Sequence, residues 1–588
     1  MAVIDKAKAF LAQDPDVQQK AELQVIITRA EKGERDAIDL LNECFGQRLE
    51  FGTAGLRGQV GFGTNRMNRL MTIETTWGFG RYLLEETANT SQDVRQKGVV
   101  MAFDGRLHSR QFALDASSTL AGLGIPVYAF DQVVPTPVCA FAITHLEASA
   151  GIMLTASHNP PEYNGYKAYW ANGAQIIPPH DQGISKHIDQ APEFAQIIRL
   201  SLFEAIEKGL HHQIGSDVMD AYFKGISSGR WSEPISSHEK TRIVYSAMHG
   251  VGDRFVRRAL HESQFTSVVS VPSQSEANGL FPTVTFPNPE EDGAMDHSIR
   301  LGEELDADLI LANDPDADRV AVAVRSRHGQ GFERLSGNDV GVLLGHEAIQ
   351  ANQNNEEKNL VIASIVSTRM LGRIAAKHQV NYAETLTGFK WIANTALQRH
   401  NDAGESFIFG FEEAIGYCPG PLVNDKDGVQ AAVRVAELFA KLKASGMTFH
   451  EQLDALAIEY GLFEGVQWSV QQPGSAGKKK IDEVMTIFRN VSPDAILNEK
   501  IRRTDDLLNG TIKENGETRA TSLPKSNVLV FYSDADTRLI VRPSGTEPKI
   551  KFYLEAVREV RSVSELDRQR EELQTYASAV KARIGELF

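Results

Sequence analysis

Ser157 is the residue around which chemistry can be built. It lies in Thr155-Ala156-Ser157-His158-Asn159-Pro160-Pro161-Glu162-Tyr163-Asn164-Gly165-Tyr166-Lys167, directly after the apolar run Gly151-Ile152-Met153-Leu154. That run reads as a short buried strand, and Asn159-Pro160 and Asn164-Gly165 are turn dipeptides. The strand therefore stops and leaves Ser157 in the loop past its C-terminal end. In open α/β sheets that edge is where ligands bind. With His158 beside it and Lys167 further on, Ser157 is a candidate nucleophile with an acid/base partner. Taken alone, the stretch also fits a Ser/Asn-rich turn that caps a helix.

A second stretch, Asn313-Asp314-Pro315-Asp316-Ala317-Asp318-Arg319, follows another buried strand-like run. Three carboxylates packed this tightly repel one another unless a cation neutralises them. Oxygen ligands with no His or Cys nearby favour a hard cation, Mg²⁺ before Ca²⁺. An EF-hand is excluded: counted from Asp314, the glycine position holds Arg319 and the bidentate glutamate position holds Arg325. The bland alternative is an acidic surface turn.

Three further stretches suit anions and hydroxyls. Arg542-Pro543-Ser544-Gly545-Thr546-Glu547-Pro548-Lys549 sets hydroxyls and amides around a glycine between two cations, the make-up of a phosphate cradle. Gly410-Phe411-Glu412-Glu413-Ala414-Ile415-Gly416-Tyr417 places paired acids after an aromatic strand, where they can bond sugar hydroxyls. Near the N-terminus, Leu49-Glu50-Phe51-Gly52-Thr53-Ala54-Gly55-Leu56-Arg57-Gly58 is a glycine-rich loop that carries Arg57 as a phosphate clamp. Smaller pieces point the same way. Asp104-Gly105-Arg106 with Ser109-Arg110 opens a helix and can hold an anion, and Thr387-Gly388-Phe389-Lys390 is a glycine turn ending in lysine, although for each a purely structural role carries the greater weight.

The elements that must position these loops repeat. Strands are expected at 98–104, 125–130 and 151–154 with helices at 108–123 and 137–146, the alternation of a mostly parallel sheet with crossover helices. The pattern restarts at 241–248, with a helix at 253–263 and strands at 267–271 and 308–313. It restarts again after residue 336, with strands at 360–366, 380–384 and 407–411. Three similar rounds suggest an internal structural repeat. Beyond a helix at 449–460, strands at 527–532, 538–541 and 549–554 and a final helix at 563–587 read as an α+β domain. Residues 1–48 read as a helical extension. The expected division is 1–48, 49–209, 210–325, 326–455 and 456–588.

Bulk composition narrows the function. At 588 residues the chain is too long for one core. With 61 basic and 77 acidic residues the net charge is −16, against generic nucleic-acid binding. A local basic pocket for a phosphorylated substrate remains compatible with that charge. Cys44, Cys139 and Cys418 lie far apart and form no disulfide framework, which suits a reducing compartment. No apolar run reaches the ~20 residues of a membrane span, and the N-terminus is not a signal peptide. A cytoplasmic enzyme with no membrane or nucleic-acid partner is expected.

Together these stretches resemble the α-D-phosphohexomutases, the phosphoglucomutase/phosphomannomutase superfamily, from about Leu49 onward and in the family's motif order. Gly-Phe-Glu-Glu-Ala-Ile-Gly-Tyr, Glu384-Thr385-Leu386-Thr387-Gly388-Phe389-Lys390-Trp391 and the N-terminal extension are most similar to the phosphoglucomutase-2-like branch, which includes phosphoglucomutases and phosphopentomutases. The resemblance implies three related α/β domains plus a C-terminal α+β domain around a central cleft. It implies that Ser157 is a phosphoserine, that Asp314, Asp316 and Asp318 hold Mg²⁺ against it, and that Arg319 steadies it. Lys167, His158 and Arg57 would serve proton transfer and charge stabilisation. Glu412 and Glu413, with Lys390, would contact the sugar, and Arg542, Ser544, Gly545, Thr546 and Lys549 the non-reacting phosphate. The implied reaction moves a phosphoryl group between C1 and C6 of a hexose phosphate, glucose first, through a sugar 1,6-bisphosphate. Mannose and ribose phosphates are the alternatives. The family's hexose loop often reads Gly-Glu-x-Ser, whereas this chain has Ala414 in place of the serine. A Mg²⁺-dependent phosphatase with an aspartate nucleophile and a non-catalytic sugar-phosphate sensor are the other readings.

Overall fold

The architecture below is that of a computed structural model. It describes residues 2–588 except Ala54, His328, Gln330, Glu356, Pro473 and 545–548, and omits the side chains of 474–476. Three helices, Ala2–Gln13, Val17–Glu31 and Arg35–Phe45, form the N-terminal extension. Their apolar stripes meet in a small core of Ala7, Phe10, Leu23, Ile27, Leu41 and Phe45, closed by Leu70 of the following helix. Among the described residues no helix is long and apolar enough to cross a membrane.

Three sheets then follow one plan. In the first, Val99–Phe103 pairs in parallel with Val127–Ala129 and with Ala150–Leu154, and Tyr163–Trp170 returns antiparallel beside Ala150–Leu154. In the second, Ile243–Ser246 pairs in parallel with Val268–Ser270 and Leu309–Asn313, and Val320–Arg325 returns antiparallel. In the third, Lys358–Ser364 pairs in parallel with Asn381–Thr385 and Glu405–Glu412, and Gly416–Cys418 returns antiparallel. Each sheet thus ends a parallel strand in a tight loop that doubles back. Val99–Phe103, Ala150–Leu154 and Leu309–Asn313 are buried at every position. Strands covered by helices on both faces read in this way as unbroken apolar runs. One continuous core runs through all three units, from Phe141 through Tyr245 to Phe409.

The fourth unit is a seven-stranded antiparallel sheet. Leu462–Gln471 lies at one edge beside Lys549–Arg558, which pairs with Arg538–Pro543. The helices Gly474–Asn490 and Val563–Gly585 contribute Val484, Phe488, Val580 and Ile584 to its core.

Three expected boundaries move. The helix Phe449–Tyr460 runs unbroken across the division expected at residue 455. His211–Gln213 joins the first sheet beside Val127–Ala129, past the division expected at residue 209. Phe332–Arg334 pairs with Val320–Arg325 in the second sheet, past the division expected at residue 325. Both are three-residue edge strands with mixed burial, too short to show a period of their own.

Candidate active site

Ser157, Ala317 and Ile415 occupy equivalent turns, each just beyond the third parallel strand of its sheet and each left-handed, with φ of 53°, 51° and 50°. A non-glycine residue held there costs energy that the surroundings must repay. For Ser157 the repayment is visible. Its backbone N–H donates to Thr155 Oγ1 at 2.9 Å, and Thr155 Oγ1 donates to Asp104 Oδ2 at 2.6 Å. Arg106 donates to the carbonyls of Ser157 at 2.6 Å, Pro160 at 2.8 Å and Tyr163 at 3.1 Å, and also to that of Asn159. The Arg106 and Asp104 side chains are wholly buried, 3.5 Å apart. Asp104-Gly105-Arg106 is therefore a structural clamp on the serine loop rather than an anion holder, because both terminal nitrogens of its guanidinium donate to protein carbonyls.

Domain packing joins the serine to the acids. Ser157 Oγ donates to Asp314 Oδ2 at 2.9 Å, a contact between residues 157 apart in the chain. His158 Nδ1 lies 3.2 Å from the same Oγ. Lys167 Nζ donates to Asp316 Oδ2 at 2.7 Å and to Asp318 Oδ2 at 3.0 Å. Arg319 stands at the edge of the group, its Nε 3.7 Å from Asp318 Oδ1 and its Nη1 3.9 Å from Glu290 Oε2. Arg57 is exposed at the rim and donates to Asn159 Oδ1 at 3.0 Å. The acid loop fits tightly between neighbours. A Cβ on Gly250 would meet the Pro315 backbone at 2.4 Å, and one on Gly428 would meet Arg319 O at 2.5 Å.

Two residues at the site are not signalled by the sequence, Thr136 and Lys426. Thr136 Oγ1 donates to Asp316 Oδ2 at 2.6 Å and its N–H to the Asp316 carbonyl at 2.9 Å. Lys426 Nζ lies 3.2 Å from Asp318 Oδ2 and 3.4 Å from Asp425 Oδ1. Thr136 opens a helix of the first unit and Lys426 precedes a helix of the third.

Ligand oxygens of Asp314, Asp316 and Asp318 lie within 4.8 Å of one another. Asp316 Oδ1 and Asp318 Oδ1 are buried and have no hydrogen-bond partner among the described residues. An all-oxygen set with two orphaned buried acceptors fits a hard divalent cation. The local charges shape the group's protonation. Burial and the two neighbouring carboxylates push Asp314 well above the usual carboxylate range. Against the same burial, the Lys167 ammonium holds Asp316 well below it. Burial, with the Arg319 and Arg57 guanidiniums, holds His158 well below 6.5 and therefore neutral.

The third loop meets the fourth unit. Glu412 Oε1 accepts from the Gly388 N–H at 2.6 Å. Glu413 points elsewhere: its Oε2 accepts from Ser364 Oγ at 3.2 Å and its N–H donates to Ser367 Oγ at 3.0 Å. Burial and the Glu412 charge raise the Glu413 carboxyl from 4.5 to about 7. Lys390 donates to Thr53 Oγ1, and burial lowers its ammonium from 10.5 to about 8. Arg542 lies near the end of the strand Arg538–Pro543, Ser544 follows it and Lys549 begins the next strand, with the Ser544 N–H donating to the Lys549 carbonyl at 2.8 Å. Arg542 faces Lys551 in register. Gly545 and Thr546 lie outside the described residues. A cavity of about 790 Å³ opens between the third and fourth units. Glu413, Tyr553 and Arg538 line it, whereas Ser157 and the three aspartates do not.

Three α/β units of one plan and a fourth antiparallel unit, with a serine of the first unit bonded to an acid cluster of the second, form an arrangement suited to phosphoryl transfer. Models of the phosphoglucomutase/phosphomannomutase family match along the chain: alpha/beta/alpha domain I over residues 48–194, domain II over 220–329, domain III over 336–460 and the C-terminal domain over 501–573. A phosphopentomutase of Homo sapiens is 40% identical over 534 residues, covering 88% of this chain and 86% of its own. A phosphoglucomutase of Staphylococcus epidermidis is 35% identical over 508 residues, covering 86% and 90%. The solved structure of a phosphoglucomutase/phosphomannomutase family protein of Burkholderia thailandensis shares the fold, with a TM-score of 0.61 at 20% identity over 90% of this chain and 97% of its own. The chain belongs to the phosphoglucomutase/phosphomannomutase family and is an intramolecular phosphotransferase. The phosphatase and sensor readings give way to this assignment.

Proposed function

We propose that this protein interconverts the 1-phosphate and terminal phosphate of an α-D-aldose, with glucose 1-phosphate and glucose 6-phosphate as its principal pair. The observation that carries the reading is the buried contact of Ser157 Oγ with Asp314 Oδ2, 2.9 Å across a unit boundary, beside two buried carboxylate oxygens without a hydrogen-bond partner among the described residues. Phosphoryl transfer depends mainly on positioning and charge stabilisation, and the loop offers both. Asp314, Asp316 and Asp318 would hold Mg²⁺, with the serine oxygen at hand. When bound, the ion supplies positive charge to the carboxylates and to the phosphoryl oxygens.

In the first half-reaction the free hydroxyl oxygen of the sugar phosphate bonds to the phosphorus on Ser157. The bond from that phosphorus to Ser157 Oγ breaks, leaving a sugar bisphosphate and the serine alkoxide. His158, with Nδ1 3.2 Å from Ser157 Oγ, and Lys167, held by Asp316 and Asp318, exchange the proton between substrate hydroxyl and serine. The bisphosphate turns over, and its other phosphoryl group returns to Ser157 Oγ as the second isomer leaves. Arg319 steadies the phosphoryl group at Ser157 and Arg57 closes the rim. Glu412 and Lys390 contact the sugar. Glu413, bonded to Ser364 and Ser367, sets the shape of that loop. Arg542, Ser544, Gly545, Thr546 and Lys549 bind whichever phosphate is not reacting.

Ribose 1-phosphate and ribose 5-phosphate form the second reading, favoured by the 40% identity to a phosphopentomutase and by Ala414 at the family's hexose-loop serine position. Coupled initial-rate assays with glucose, mannose and ribose 1-phosphates under Mg²⁺ and catalytic bisphosphate separate the two. The glucose reading predicts the highest kcat/KM for glucose 1-phosphate. A higher value for ribose 1-phosphate moves the assignment to the pentose, and no turnover of any of the three overturns the proposal.

A further inference from the structure

Arg538 begins the strand Arg538–Pro543, which ends in the proposed phosphate cradle. Side chains alternate between faces along a strand. Leu539 and Val541 belong to the fourth unit's own core, whereas Ile540 packs with Ile365, Val366 and Leu386 of the third unit. Arg538, Ile540 and Arg542 therefore share the face turned toward the third unit.

Arg538 is only 2% exposed. Its guanidinium donates to the Ser367 carbonyl and lies 3.3 Å from both Glu384 Oε1 and Glu555 Oε2. Both third-unit partners lead into the sugar loop. Ser367 Oγ accepts from the Glu413 N–H at 3.0 Å. Glu384 lies in the strand Asn381–Thr385, just ahead of Gly388, whose N–H donates to Glu412 Oε1 at 2.6 Å. On the fourth-unit side, Glu555 is held by Arg369 through Nε at 2.6 Å and the backbone N–H at 3.1 Å. A buried guanidinium is tolerated only when paired and bonded, so these partners admit one docking of the strand on the third unit. Its planar fork makes lysine a poor replacement.

Building on the mutase reading, we propose that Arg538 is a positioning residue. It fixes how far Arg542 stands from Glu412, and thereby which length of aldose phosphate spans the cleft. Pentose and hexose phosphates differ by one carbon between their two phosphate-bearing ends, so a fixed span favours one of them.

The test uses full-length Arg538→Met, Arg538→Lys and Glu384→Gln. It measures kcat and KM for glucose 1-phosphate and ribose 1-phosphate, the thermal midpoint, and glucose 6-phosphate affinity by calorimetry. Arg538→Met is expected to raise both KM values about tenfold to a hundredfold, the scale of a small misplacement, with kcat less affected. The ratio of the two kcat/KM values should move toward one. Arg538→Lys should recover the thermal midpoint while leaving that ratio altered, and Glu384→Gln should shift the ratio in the same direction. A lowered midpoint with the sugar ratio unchanged in every folded variant would overturn the proposal in favour of a purely structural role. If Arg538→Met does not fold, Glu384→Gln decides. Should the parent turn over no sugar phosphate, the mutase reading fails on its own. Equal glucose 6-phosphate affinity of parent and Glu384→Gln would then still overturn the positioning role.

Discussion

At the scale of single residues, the site works by setting opposed charges close together away from water. Asp316 is the clearest case, since one oxygen is bonded to Lys167 and Thr136 while the other has no partner among the described residues. Asp316→Asn should weaken Mg²⁺ or Mn²⁺ binding by calorimetry at least about tenfold, because it removes charge from a hard-cation site. Unchanged affinity would place the cation elsewhere. Glu413 makes a different point. Its carboxyl titrates at about 7 in the fold against 4.5 ordinarily. A raised value means that its contribution is fully present below the ordinary value and is lost as pH rises through the folded one. Glu413→Gln mimics the neutral form. Its stability relative to the parent should therefore increase between pH 5 and pH 8, read as the difference in thermal midpoint at the two values. A difference that is flat with pH would contradict the assigned ionisation.

Elements explain why these residues stay in place. Three parallel strands end in left-handed turns at Ser157, Ala317 and Ile415, so one local solution serves three loops. The serine loop depends on Arg106, whose carbonyl contacts span residues 157–163. Arg106→Met leaves Asp104 buried without its cation, a loss of about 3–5 kcal/mol. It should appear as a lowered thermal midpoint and faster proteolytic cleavage within residues 155–167. Parent-like resistance would mean that the loop holds itself. Much of this was readable beforehand. Ser157 and Asp314, Asp316 and Asp318 stand in contiguous motifs after apolar runs, so local sequence carries both strand and loop. Arg106, Thr136, Lys426 and Arg538 act through partners far along the chain, and nothing in their immediate neighbours signals that. Arg106 can be read from sequence as either structural or anion-binding, because only the folded loop supplies the carbonyls that engage its two terminal nitrogens. The short edge strands His211–Gln213 and Phe332–Arg334 were missed because three residues cannot display a periodic pattern.

At the scale of the molecule, the proposed reaction needs two ends held by different units, Ser157 with the acids at one and Arg542 with Lys549 at the other. A mutase must present each substrate phosphate to each end in turn. Removing the Arg542 guanidinium loses charge-assisted bonds of roughly 1.5–3 kcal/mol each. That loss should weigh on both isomers alike and let the bisphosphate escape. Arg542→Ala should therefore slow forward and reverse reactions by similar factors and need more added glucose 1,6-bisphosphate, measured as initial rates in both directions. Damage in one direction only would separate the hairpin from the reorienting step. The central claim is that Ser157 itself carries the phosphoryl group. The direct measurement incubates the full-length protein with Mg²⁺ and glucose 1,6-bisphosphate, maps phosphorylated peptides by mass spectrometry, and then mixes the modified protein with glucose 1-phosphate. The account predicts one phosphoryl group on Ser157, its loss to the sugar on mixing, and neither labelling nor turnover in a folded Ser157→Ala variant, for which the rate loss is on the order of 10⁶. Turnover by Ser157→Ala near that of the parent, or turnover with Ser157 never phosphorylated, would contradict it.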